Sequence, residues 1–210
     1  MSIDIIKLLT INPISRLDSA YPLSLKNIYD PPETLYVIGD IKFSKAVSVV
    51  GTRQLSKRGQ ENTEIICKEL VNRGFTIISG LALGIDAVAH WTAIKNGGKT
   101  VAVLGAGVDI IYPPQNRELY FKIIESGGAI ISEIPPGKLS PHSYFPARNR
   151  IISGLSEAII VTEAQIKSGA LITARLAIDQ GRDVYAVPGS PGCDYLIENG
   201  AQAIDLSLES

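Results

Sequence analysis

Short apolar runs recur along the chain from residue 46 onward: "AVSVV" (46–50), "FTIIS" (75–79), "TVAVLG" (100–105), "AIISE" (129–133), "AIIVTE" (158–163) and "DVYAV" (183–187). They are rich in Val and Ile and nearly continuous, as strands covered on both faces of a parallel sheet are. The intervals between them have helical spacing. Over 57–72, Ile65, Ile66, Leu70 and Val71 fall on one side, with Lys68 and Glu69 facing out. Gly74, Gly97-Gly98 and Gly127-Gly128 each precede a strand, where a helix C-cap takes glycine. This alternation predicts an α/β fold: an extended Rossmann-like, doubly wound, mostly parallel sheet with helices on both faces. Residues 1–40 lack the rhythm. A short helical stretch leads into "YPLSLKNIYDPPETLYVIGD", where Pro31-Pro32 forbids regular helix. They are expected to form a lead-in packed on a core of residues 41–210.

Composition narrows the class. A chain of 210 residues, 45% hydrophobic and 20% charged, reads as one soluble globular domain with a short appendage. Its formal charge is −1, so any nucleic-acid site must be a local concentration of positive charge. Cys67 and Cys193 match no metal or disulfide spacing, and Cys67 reads as a small buried thiol. The start, "MSIDIIKLLTINPI", carries neither a signal-peptide pattern nor a membrane span, which makes the cytoplasm the expected compartment. Neither metal nor cofactor is expected.

Open α/β sheets bind ligands beyond the carboxyl ends of their strands. Here those ends read Gly51-Thr52-Arg53, Ser79-Gly80, Gly105-Ala106-Gly107, Glu133 and Glu163. Gly51 follows a strand and a helix starts near Ser56. Between 41 and 60 lie Lys42, Lys45, Arg53, Lys57 and Arg58 and no acid. Backbone N–H groups in such a turn suit a phosphate, with Arg53 the best-placed side chain; a plain turn beside a solvated basic face is the alternative. Asp86 and His90, four apart on the next helix, suggest a carboxylate–histidine pair. An acid in a first turn also simply complements the helix dipole.

Two phosphate motifs fail. Gly98-Lys99-Thr100 enters a strand and has Ala93 where a P-loop needs glycine; the run from Gly105 has Ile110 where the dinucleotide fingerprint needs glycine. Lys167-Ser168-Gly169 before a helix forms an anion cradle compatible with N-capping by Ser168. Finally, "YFPARNRIISGLSEAIIVTEA" (144–164) sets Arg148, Asn149 and Arg150 against an apolar run, with no acid from Ile134 to Ser156. Aromatic Tyr144 and Phe145 beside these cations, with Lys138 near, are what single-stranded nucleic acid requires. Otherwise Phe145 is core and the arginines bridge to Glu133 or Glu163.

Taken in order, "YPLSLKNIYDPPETLY", "VVGTR", "SGLALGIDAVAH", "VLGAGVDIIYP", "SEIPPG", "FPARNRIISGLS", "EAQIKSGALITARLAIDQGRDVYAVPG" and "LIENGA" resemble the DprA/Smf family, DNA processing protein A, from Tyr21 to Ala201. The resemblance implies a Rossmann-like core that binds and protects single-stranded DNA without cutting it. It further implies action in natural transformation (competence) or recombination, loading of the RecA recombinase and a homodimer formed through the later part of the core. The DNA-facing positions it implies are Gly51, Thr52, Arg53, Ser79, Gly80, Phe145, Arg148, Asn149, Arg150, Lys167, Ser168 and Gly169. At His142 some relatives carry lysine; an ordinary histidine is mostly neutral near pH 7, so a contact there is pH-dependent. The stretch after "VPG" is short, and the resemblance ends before the winged-helix-like C-terminal domain of many members.

Two rival functions share the fold group. A nucleoside-monophosphate phosphoribohydrolase would use Glu133 and Glu163 in general acid–base chemistry, but "SGALITA" stands in place of the "PGGxGTxxE" signature of those enzymes. A sensor of mononucleotides or cyclic dinucleotides would present the same rim.

Overall fold

The computed structural model of the protein describes residues 6, 9–139 and 144–206, without the side chains of Tyr144 and Phe145. Its sheet has nine strands: β1 (Asn12–Ser15), β2 (Thr34–Gly39), β3 (Ala46–Val50), β4 (Thr76–Ser79), β5 (Thr100–Val103), β6 (Ala129–Ser132), β7 (Ala158–Val161), β8 (Asp183–Ala186) and β9 (Gln202–Ala203). Their order is β1-β2-β6-β5-β4-β3-β7-β8-β9. From β6 to β9 every pairing is parallel; β2 pairs antiparallel with β6, and β1 with β2. All six strands expected from the apolar runs are present. The lead-in contributes more than expected: β1 and β2 extend the sheet edge, with the short α1 (Leu23–Lys26) between them, while the helical stretch expected before Tyr21 falls largely outside the described residues.

Alternating side chains explain the continuous runs. Val47 and Val49 of β3 pack with Ile66 and Cys67 of α2 (Lys57–Asn72) and with Ala89 and Ala93 of α3 (Ile85–Lys95). Ala46 and Val50 face the other layer, with Ile151 and Ile152 of α5 (Tyr144–Gly154), Ala170 and Ala174 of α6 (Gly169–Asp179) and Leu196 of α7 (Pro191–Glu198). Farther along, Ile130 and Ala102 meet Leu119 and Ile123 of α4 (Arg117–Glu125). Both faces are dry, so neither needs polar alternation. Ser48, within β3, is kept in the core by donating to Ile152 O and sharing a 2.6 Å hydrogen bond with Ser156 Oγ. In α2 one expectation fails: Ile65 is 44% exposed, while Thr63 and Cys67 join Ile66 inside. Thr63 is accommodated there because its hydroxyl bonds Gly59 O and Thr162 Oγ1. Cys67 is fully buried, and burial pushes its thiol pKa up.

The strand order reverses direction between β3 and β7. From β3 the chain builds outward through β4, β5 and β6; from β7 it builds the opposite way. Helices and loops diverge at that point and leave a crevice above the carboxyl ends of the two strands.

Candidate nucleic-acid interface

A cleft of about 590 Å³ opens at this reversal, lined by Gly51, Thr52 and Arg53 after β3, Asp86 of α3, Arg148 and Asn149 of α5, and Lys167, Ser168 and Gly169 after β7. The loop after β3 is tightly held. A Cβ on Gly51 would lie 2.7 Å from Glu163 O and 2.8 Å from Ile85 Cβ, so glycine here serves packing rather than ligand approach. Thr52 N donates to Glu163 O at 2.8 Å, and Thr52 O accepts from Ile85 N at 3.1 Å. Gln54 N donates to Thr52 Oγ1. Arg53 projects from this loop, exposed, with no hydrogen bond or ion pair to any described residue.

The N-terminus of α2, expected as part of a phosphate site, is already occupied. Ser56 caps it by accepting from Gly59 N at 3.0 Å, and Ser56 N donates to the Glu163 carboxylate at 2.9 Å. The anion there belongs to the protein itself.

Arg148 forms the floor of the cleft. It is 6% exposed, and its Nη1 donates to Gly80 O at 2.7 Å and to Val103 O, while Nε donates to Asn149 Oδ1 at 3.2 Å. Gly80 is glycine because a Cβ would come within 2.7 Å of the guanidinium. Nη2 has no partner among the described residues. Burial lowers the Arg148 pKa to about 10, with the Asp86 carboxylate opposing that shift and Arg53 adding to it, so the group stays charged at neutral pH. Asp86, 7% exposed, accepts from Gly80 N and Ala82 N; burial raises its pKa, against the pull of Arg148.

No Asp86–His90 pair forms. His90 Nδ1 lies 2.6 Å from Thr100 Oγ1, and that hydroxyl gives its own proton to Ile77 O. The proton therefore sits on Nδ1, and the bare Nε2 has no partner among the described residues. Burial, then Arg148, pushes the His90 pKa down to about 3.

Arg150 leaves the DNA-facing set and follows the alternative reading, a bridge to Glu133. Its guanidinium is bidentate to Glu133 at 2.8 and 2.6 Å, and Nε donates to Asp30 O and Oδ2 at 2.9 and 3.0 Å. Its side chain is 15% exposed and does not line the cleft. Glu133 lies one residue outside the acid-free window, and Asp30 is distant in sequence. Ser79 is also removed from the rim: it is fully buried and donates to Val49 O at 2.7 Å. His142 and the side chain of Phe145 lie outside the described residues.

The loop after β7 supplies the open side. Lys167 is exposed and unpaired among the described residues. Ser168 caps α6 by accepting from Ala170 N at 3.1 Å. Gly169 is exposed, its φ is ordinary for any residue, and a Cβ there would meet nothing within 4 Å. Its N–H has no acceptor among the described residues, unlike the packed N-terminus of α2. Asn149 Nδ2 donates to Gly169 O at 3.4 Å and ties α5 to this end of α6. Tyr112, Gln165 and Ile172, which no sequence motif marks, also line the cleft. The available signal was the position of Tyr112 in the loop beyond β5, where an aromatic is 43% exposed.

Residues 12–209 match the family model described as DNA recombination-mediator protein A. The chain belongs to the DNA recombination-mediator protein A family. Within it, similar proteins include Protein Smf of Synechocystis sp., 48% identical over 199 residues, covering 89% of this chain and 50% of that protein. DNA processing protein DprA of Streptococcus pneumoniae is 45% identical, covering 90% of this chain and 70% of the other. The chain thus spans about half the length of the Synechocystis relative. The X-ray structure of the S. pneumoniae protein superposes with a TM-score of 0.86, covering 93% and 71% of the two chains. DNA processing protein A of Helicobacter pylori, 30% identical, gives 0.84 with coverage of 93% and 91%, and its structure is described as showing a single-stranded DNA binding mode. A molybdenum cofactor carrier protein from Chlamydomonas reinhardtii, 15% identical with a TM-score of 0.54, shares the fold alone.

Proposed function

We propose that this member of the family binds single-stranded DNA independently of sequence, in the cleft between β3 and β7, and protects it without chemistry. One observation carries the reading: Arg53 and Lys167, both exposed and unpaired among the described residues, flank the open N-terminus of α6 above the buried charge of Arg148. A flexible polyanion needs this arrangement, with mobile cations for the backbone, a fixed charge beneath and a free N–H for close phosphate approach. Thr52, Asn149 and Ser168 complete the lining. Arg150, Ser79 and the turn glycines Gly51 and Gly80 support the site from behind.

The carboxylates considered for glycosidic chemistry are engaged elsewhere, Glu133 with Arg150 and Glu163 with Ser56 N, and neither lines the cleft. This favours binding over catalysis. Among the described residues no helix is long and apolar enough to cross a membrane. Homology to the DNA processing proteins supports a place in transformation or recombination in the cytoplasm, with loading of the RecA recombinase and a homodimer as the finer expectations. The test is a set of binding isotherms for single- and double-stranded oligomers at two salt concentrations. Preference for the single strand, weakening with salt, supports the reading; equal affinity for both, or none, overturns it.

A further inference from the structure

We infer that Glu163 is a positioning residue that presents Arg53 to the ligand, although it is an acid beside a cleft for a polyanion. The inference rests on the DNA-binding reading above. Glu163 meets the Arg53 loop at both ends: its backbone O accepts from Thr52 N at 2.8 Å and its carboxylate from Ser56 N at 2.9 Å. Between these contacts the loop is further held by Ile85 N donating to Thr52 O at 3.1 Å and by the local Thr52–Gln54 hydrogen bonds, none of which reaches the Arg53 side chain. The carboxylate also rests against Gly59, where an added Cβ would collide with Oε2. Gly59 has an ordinary helical conformation, so its lack of a side chain is explained by this seat. Thus β7 places an anion at the N-terminus of α2, fills it permanently and sends the incoming phosphates to Arg53 and α6.

The sign of the effect separates positioning from simple electrostatics. Removing an acid near a bound polyanion should tighten binding if charge alone matters. The positioning role predicts that Glu163→Ala weakens oligothymidine binding about tenfold, the scale of one hydrogen bond to a charged group. Glu163→Gln, which keeps an acceptor for Ser56 N, should restore wild-type affinity. Gly59→Ala gives a second approach that retains the acid: its Cβ displaces the flexible end of Glu163, so the helix folds while binding falls as in Glu163→Ala. Wild-type or tighter binding by Glu163→Ala overturns the inference. If the wild-type protein itself fails to bind oligothymidine, the functional reading fails separately. Amide exchange then decides: faster exchange at Gln54 as well as at Ser56 in Glu163→Ala supports positioning, and unchanged exchange at Gln54 refutes it.

Discussion

Gly169→Ala separates what the fold needs from what the ligand needs. In the folded protein a Cβ at this position meets nothing within 4 Å, and the backbone conformation is open to alanine. Losing glycine's freedom in the unfolded chain should stabilise the protein by about 0.4–1 kcal/mol. Binding should move the other way. The Gly169 N–H lies at the open end of α6 beside Lys167, and a hydrogen bond from it to a phosphate is worth about 1.5–3 kcal/mol. A methyl group that holds the phosphate off and forfeits about half of that weakens binding about four- to twelvefold. Thermal unfolding measures the first effect and fluorescence anisotropy with a labelled oligothymidine the second. Unchanged affinity in a variant of equal or greater stability would show that no phosphate approaches α6, and the assignment of this end of the cleft would fail.

Other perturbations test the supporting roles. Arg150→Ala should cost about 2–3 kcal/mol of stability, because it strands a half-buried Glu133, and leave affinity of the folded protein within about twofold. Arg148→Ala should both destabilise the fold by about 3 kcal/mol, leaving Asp86 buried without its cation, and weaken binding. Arg53→Ala should reduce the slope of log affinity against log salt by about 0.7, one phosphate contact on a single strand, with unfolding unchanged. His90 has a depressed pKa in the fold, so its contribution is present above the unfolded value of about 6.5 and is lost as pH falls toward 3. Equilibrium unfolding should show a slope of up to about 1.4 kcal/mol per pH unit there, flattened in His90→Asn.

The strands from 46 to 187 were legible because nearly all of their residues are buried on both faces, β8 with its exposed Asp183 being the exception, so burial is written into consecutive residues. β1 and β2 were not, because "TLYVIG" sits behind Pro31-Pro32 and its pairing with β6 is a long-range fact. The cleft was legible in outline: Arg53, Asn149, Lys167, Ser168 and Gly169 all lie at the predicted rim. Individual roles were harder. The charge pattern left both a DNA contact and a bridge to Glu133 open for Arg150; in space the bridge forms, joined by Asp30 from an element distant in sequence. Glycines along the rim look alike in sequence, yet of the three predicted there Gly51 and Gly80 admit the protein's own atoms whereas Gly169 stands open. Asp86 and His90 share a helical face, but the hydroxyl of Thr100 on the neighbouring strand takes the imidazole.

The most direct measurement is the oligothymidine isotherm of Arg53→Ala/Lys167→Ala beside the wild type, in one buffer of moderate salt. Both side chains are exposed, so the double variant should fold as the wild type does and bind at least about tenfold more weakly. A folded double variant that binds oligothymidine as tightly as the wild type would place the DNA elsewhere on the molecule.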